Sequence, residues 1–335
     1  MFIDEAKFSL WCDFVERDFL QTDLPIMIEK KTVNGATSNP SIFKNAFLNS
    51  PAYKEDITAL KGTHPKKIYE TLAIKDIQIS ADILKELYKK EDDGFISIEV
   101  DPLLCDDSTA TIKEARRLHT AIGASNVMIK VPATEAGFIA METLFSEGIN
   151  INATLIFSPV QAKGCLDAFE NGLKTFHKKS SKQKAPKAVI SIFVSRFDRK
   201  MNDALKAASL PVNEVGILNA TKIYHDIQQR GISGVRTLFA STGVKGDDLK
   251  KDHYITELLF ENCVNTAPLD TIEAFLQVGK AKVKSPSSRE EIESFFNTLK
   301  QNDIKMEQVY SELMNEGLEA FKEAFKEIIE ELKSS

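Results

Sequence analysis

Cysteine is scarce in this chain of 335 residues: Cys12, Cys105, Cys165 and Cys263 stand far apart, and no two form a C-x-x-C pair. That excludes a redox dithiol or half of a zinc ribbon, and the four read as free thiols of a reducing compartment. The five histidines, His64, His119, His177, His225 and His253, give no H-x-x-x-H pair and have no cysteine at ligand spacing, so no metal is expected. Neither G-x-G-x-x-G nor G-x-x-x-x-G-K-[ST] occurs, which removes the usual nucleotide signals, and no cofactor is expected. Positive charge is lacking too: the formal net charge is -6, so no global field would draw in nucleic acid or an anionic membrane. No apolar run approaches the ~20 residues of a membrane span, and "MFIDEAKFSLWCDF" sets acids among its apolar residues, unlike a signal peptide. The expectation is a cytoplasmic protein, monomer or homodimer, with neither nucleic acid nor membrane as a partner. Without repeats or a Pro/Gly-rich linker, residues 1–335 read as one domain.

What is present is a globular composition, 43% hydrophobic and 27% charged, enough to build a sizeable core. Eight short β-rich runs recur: "FSLWCD" (8–13), "KTVNGATSN" (31–39), "FISIEVD" (95–101), "NVMIKVPA" (126–133), "NINATLIF" (150–157), "AVISIFVSRFD" (188–198), "RTLFAST" (236–242) and "NCVNTAP" (262–268). Helical patterns separate them. Residues 107–123 place Ile112, Ala115, Leu118 and Ile122 on one face, between an N-cap at Asp107 or Ser108 and a stop at Gly123. Residues 134–148 repeat the design from Thr134 to Gly148. Strand, helix, strand in steady alternation argues for parallel pairing, and the number of runs favours a closed (β/α)8 barrel over a doubly wound open sheet. The polar stretch "KTFHKKSSKQKAPK" (174–187) reads as a helix end and an exposed loop. The helical tail, 286–335, is expected to pack across the outside of the barrel.

Polar residues interrupt these runs near their ends: Asp13, Asn39, Glu99 with Asp101, Lys130, Asn152 with Thr154, Ser191 with Arg196, and Ser241. In a barrel, such groups at the C-terminal ends of parallel strands converge on one site. Lys130 is the hardest to explain, because in "NVMIKVPAT" it is surrounded by aliphatic residues. A buried ammonium is costly unless it is paired or loses its proton. An ordinary lysine is the neutral, nucleophilic amine in only about one molecule in ~2,500 at pH 7. Each residue also has a plain structural role: Lys130 as partner of Glu99 or Asp13, Asp13 as a helix cap, Asn39-Pro40 as a turn, Thr154 as an ordinary strand residue, and Arg196 with Asp198 as a rim salt bridge.

Several longer stretches together resemble one family. "GATSNPSIF" (35–43), "NVMIKVPATEAG" (126–137), "GININATLIFS" (148–158) and "ISIFVSRFD" (190–198) are similar to the signatures of the transaldolases. "SLWCDFVERD" (9–18) resembles the opening strand of the family's longer-chain bacterial-type branch, and the likeness runs in order from about Ser9 to Gly279. The resemblance implies a (β/α)8 barrel of the class I aldolase type, with added C-terminal helices. It also implies transfer of a dihydroxyacetone unit between sugar phosphates. It makes Lys130 the Schiff-base lysine, Asp13 the proton-transferring acid/base, and Glu99 with Thr154 the holders of a catalytic water. Asn39, Asn152 and Ser191 would hold substrate hydroxyls, Phe193 would shape the wall, and Arg196 and Ser241 would bind phosphate. Many members carry an arginine two residues after the equivalent of Ser241. Here "ASTGVKG" has Gly243 at that position, and Lys245 is the expected substitute. Two other functions compete with transfer: a fructose-6-phosphate aldolase-type lyase, which a tyrosine in place of Asp13 would favour, and a non-catalytic phosphosugar-binding barrel.

Overall fold

A computed structural model of the chain describes residues 2–179, 184–277 and 281–333. All eight β-rich runs contain a strand: β1 Ser9–Cys12, β2 Ala36–Thr37, β3 Ile96–Glu99, β4 Val127–Pro132, β5 Asn150–Ile156, β6 Ala188–Phe193, β7 Val235–Ala240 and β8 Cys263–Ala267. Each pairs in parallel with its successor, and β8 pairs with β1, so the sheet is a closed barrel and not an open one. Strands covered by helices outside and filled by side chains inside are buried on both faces, which is why they read as nearly continuous apolar runs.

The helices are α1 Arg17–Gln21, α2 Asp23–Glu29, α3 Pro40–Asn49, α4 Lys54–Ala59, α5 Pro65–Lys89, α6 Ser108–Ile122, α7 Glu135–Phe145, α8 Pro159–Lys179, α9 Ser195–Ala207, α10 Val215–Arg230, α11 His253–Glu257, α12 Leu269–Gln277, α13 Arg289–Gln301 and α14 Met306–Lys333. The cap chemistry explains their ends. The Asp107 side chain accepts from Ala110 N–H to start α6, and Gly123 ends it in the left-handed region at φ 68°. Thr134 caps α7 by accepting from Gly137 N–H. Gly137 is required at that place, since a Cβ there would stand 2.0 Å from the Pro132 carbonyl oxygen of β4. Helix α7 ends at Phe145, before the expected stop, and the chain turns back through Gly148 at φ 86°.

Two expectations need correction. The sixth run continues to Asp198, yet β6 stops at Phe193 and Ser195–Asp198 already belong to α9. Phe197, Met201 and Leu205 are buried at helical spacing, so apolarity carries on while the period changes. Arg196 is therefore a first-turn helix residue. The tail is also not confined to the outer face. Helix α13 lies beside α10, but α14 packs on α3 and α5 and crosses the C-terminal end of β5. Of the polar stretch 174–187, α8 accounts for the part up to Lys179; residues 180–183, like Gly279, lie outside the described residues.

Candidate active site

Strand register gathers the polar residues. Glu99, Lys130 and Asn152 are direct neighbours across β3, β4 and β5, so three polar side chains stand side by side at one level of the barrel. Beside Lys130 and Asn152, at the C-terminal ends of the strands, is a cavity of about 190 Å³ lined by Asp13, Asn39, Lys130, Asn152, Thr154, Ser191, Phe193, Arg196 and Ser241; Glu99 is not among the lining residues. Larger hollows, of about 560 and 640 Å³, lie at the N-terminal end of the barrel and beside α13. Neither holds this constellation, and the C-terminal end is where barrel chemistry sits.

Lys130 is 5% exposed; its amine donates to the Ser38 carbonyl at 3.0 Å and stands 4.0 Å from Glu99 Oε2. The contact to Glu99 is thus at the outer limit of an ion pair and is not a hydrogen bond. Both Glu99 carboxylate oxygens and Thr154 Oγ1 are buried and have no hydrogen-bond partner among the described residues. Buried acceptors are rarely left so; Thr154 lines the cavity, whereas Glu99 stands outside its lining, beside Lys130 on the next strand. Asp13 is half-buried; its Oδ1 accepts from Thr37 Oγ1 at 2.7 Å, and that hydroxyl also touches Thr266 Oγ1 at 2.7 Å. Helix α1 is capped by Glu16, so Asp13 is not spent as a cap. Asn39 does cap α3, accepting from Ile42 N–H at 3.0 Å through its oxygen, with its amide NH2 left for a ligand. Asn152 donates to Ser97 Oγ at 3.0 Å and accepts from Ser191 Oγ at 2.6 Å, a chain that fixes both side chains in place. Asp101 serves structure, pairing with Lys66 at 2.6 Å and capping the short helical turn Pro102–Leu104.

Ser241 in the cavity wall and Leu155, next to the lining residue Thr154, carry left-handed backbone on non-glycine residues. Leu155, at φ 58°, follows Thr154 at an irregularity in the β5–β6 register, and Ser241, at φ 54°, follows β7. Such conformations cost about 1–3 kcal/mol each and persist where the surroundings enforce them, as at binding sites. Ser241 Oγ meets Ser195 Oγ at 3.1 Å, while Arg196 lies over the Phe193 ring at 5.1 Å. Among the described residues Arg196 forms no ion pair; Asp198 instead accepts from Gly216 N–H and the Tyr254 hydroxyl. Burial and the charge of Arg199 both work against the Arg196 cation, a penalty that an anion would relieve. Lys245 is exposed and does not line the cavity. Thr37, Ser41, Thr266 and Phe321 also line the cavity; the first two lie within "GATSNPSIF" without being singled out there, Thr266 carries no unusual residue type, and Phe321 comes from α14, far from every motif.

Burial pushes the Glu99 carboxyl from 4.5 up to about 7, with the Asp13 charge adding to it and Lys130 opposing. Between those two pH values the unfolded chain binds fewer protons than the native one, so this group lowers stability as pH rises through the window, and below it the effect vanishes. Glu99→Gln is expected to raise the urea midpoint relative to the parent at pH 8 and to leave it nearly unchanged at pH 4.5. An equal shift at both pH values would show that Glu99 is not strained by its charge. No thiol lines this cavity: all four cysteines are free and buried, and burial lifts Cys12 and Cys263 to about 12. Among the described residues no group of three or more His, Cys, Asp or Glu side chains could hold a metal ion, and no helix is long and apolar enough to cross a membrane.

Known proteins match nearly the whole chain in sequence. The family described as Transaldolase/Fructose-6-phosphate aldolase matches residues 10–332. A protein named Transaldolase from Campylobacter jejuni subsp. doylei is 50% identical over 331 residues, 97% of this chain and 99% of that one. A Transaldolase from Helicobacter pylori is 44% identical over 324 residues, 96% and 98% of the two chains. With a parallel eightfold barrel, a lysine buried at its C-terminal end and relatives that match end to end, the chain belongs to the transaldolase/fructose-6-phosphate aldolase family.

Proposed function

We propose that this cavity transfers a dihydroxyacetone unit from a ketose phosphate, sedoheptulose 7-phosphate or fructose 6-phosphate, to an aldose phosphate, glyceraldehyde 3-phosphate or erythrose 4-phosphate, as a cytoplasmic step of the non-oxidative pentose phosphate pathway. The observation that carries the reading is the Lys130 amine, buried at the strand end between a main-chain carbonyl and a carboxylate that does not bond it directly. Its neutral form adds to the C2 carbonyl of the donor, and loss of water gives an iminium. Asp13 removes the C4 hydroxyl proton, the C3–C4 bond breaks, the aldehyde leaves and an enamine stays on Lys130. A second aldehyde then takes the same path in reverse. Glu99 and Thr154 hold the water lost and regained at the nitrogen, while Asn39, Asn152 and Ser191 hold the hydroxyls of the three-carbon unit. The barrel and its C-terminal helices act as one unit, because α14 completes the cavity with Phe321.

Borohydride reduction in the presence of fructose 6-phosphate, followed by peptide mapping, tests the reading. The adduct should map to Lys130, and activity without any adduct would favour a barrel that works by another route. EDTA should leave the rate unchanged, since imine formation supplies the electron sink.

Phosphate is assigned to Arg196 and Ser241. Arg196→Ala should raise KM for donor and acceptor alike by roughly 10- to 100-fold, the worth of a charged hydrogen-bond partner, with turnover at saturation largely kept. The second cation is Lys245 on its exposed loop or Arg199, whose charge already reaches Arg196. Lys245→Ala and Arg199→Ala separate the two: the one that raises both KM values holds phosphate, and if neither does, Arg196, Ser241 and backbone N–H groups suffice.

A further inference from the structure

The strands supply the polar walls of the cavity, but one surface over the lysine comes from outside the barrel. Phe321 is 4% exposed, lines the cavity, and sets its ring centroid 6.0 Å from Lys130 Nζ. Its helix is held there at both neighbouring turns. Gly317 packs so tightly that a Cβ would approach Leu155 Cδ2 to 2.9 Å and Arg196 Nη1 to 3.3 Å. Phe325 meets Tyr69 edge to face at 5.2 Å. Phe321 is therefore a placed side chain on a fixed helix, brought to the nitrogen by contacts with the residue after Thr154 and with the phosphate-binding arginine itself.

We propose that Phe321 determines whether the bound three-carbon fragment is transferred or lost to water, an inference that rests on the Schiff-base reading above. The enamine left on Lys130 has two fates. Its C3 carbon can attack an aldehyde, forming the new C–C bond. Alternatively that carbon is protonated to the iminium, one water adds at C2, the C2–N bond breaks with a proton passing to nitrogen, and dihydroxyacetone leaves. Both fates start from one intermediate, so their ratio depends on how freely bulk water reaches it. The cavity is rich in groups that attract water, Asp13, Asn152 and Thr154 among them. The Phe321 ring fills space above the nitrogen that water would otherwise occupy, and its face also favours the positively charged iminium.

The measurement is dihydroxyacetone released per dihydroxyacetone transferred, with fructose 6-phosphate as donor and erythrose 4-phosphate as acceptor. Phe321→Ala is expected to raise this ratio on the order of tenfold, while borohydride still traps the adduct on Lys130. A general loosening of the protein lowers both products together and leaves the ratio in place. If Phe321→Ala fails to fold, Phe321→Val replaces it with the same expectation. A variant that traps on Lys130 and keeps the parental ratio overturns the role of Phe321 alone. Parental protein that transfers without any trapped adduct overturns the Schiff-base reading beneath it.

Discussion

Lys130→Arg is expected to fold, to bind sugar phosphates and to transfer nothing, with a loss of at least about 10⁴-fold, because the route through an imine is closed and not merely slowed. A guanidinium stays protonated in proteins and offers no lone pair to a ketone. The variant should keep its fold because the position already tolerates a cation, standing between the Ser38 carbonyl and Glu99. Arginine can bond both, whereas a shorter apolar residue would leave Glu99 buried without a neighbouring positive charge. Two readouts decide the matter. Circular dichroism and the urea midpoint should match the parent within a kilocalorie or so, and borohydride with fructose 6-phosphate should leave no adduct at all. An adduct in Lys130→Arg would place the nucleophile elsewhere; a folded variant with residual transfer above about a thousandth of the parent would remove the imine from the main route.

The same residue shows how much could be read in advance. Lys130 is conspicuous because residue type and surroundings conflict, and such conflict survives in a sequence without any coordinates. Asp13, Glu99, Asn152 and Thr154 gain meaning only from the barrel, since parallel pairing with fixed register turns distant positions into neighbours. The alternation of strands and helices predicts that pairing, and the closed order follows. What escaped depends on geometry that no local pattern encodes. The end of β6 was hidden because Val194 and Phe197 extend its apolar run into α9. Phe321 was hidden because an amphipathic helix shows which face is apolar, but not which surface it will cover. Lys245 follows a position in the resemblance, yet side-chain reach depends on the course of the loop, and the exposed lysine is not among the residues around the cavity.

Asp13→Asn should reduce turnover by roughly 10² to 10⁴ while KM changes little, the range for lost general acid/base assistance. The substitution is close to isosteric, and an amide oxygen can still accept from Thr37 Oγ1 as Oδ1 now does at 2.7 Å, so the side chain stays in place and loses only the capacity to take a proton. Burial pushes the Asp13 carboxyl up from 3.8, while the Lys130 charge and the Thr37 hydrogen bond hold it down. In the mechanism proposed above, that balance changes during bond cleavage. Before the C3–C4 bond breaks, an iminium cation and a carboxylate share a small buried cavity. Afterwards the electrons have passed to nitrogen and the proton to Asp13, and both groups are neutral. Collapse of an ion pair into two neutral partners is favoured where the dielectric is low, so the surroundings that make Asp13 a weaker acid also assist the step it performs. A carboxamide in its place could not complete that exchange, and the iminium should accumulate. Borohydride should therefore trap at least as much adduct in Asp13→Asn as in the parent, despite slow transfer. A variant with little adduct and slow transfer would assign Asp13 to forming the imine; one with parental turnover would leave it only the hydrogen bond to Thr37.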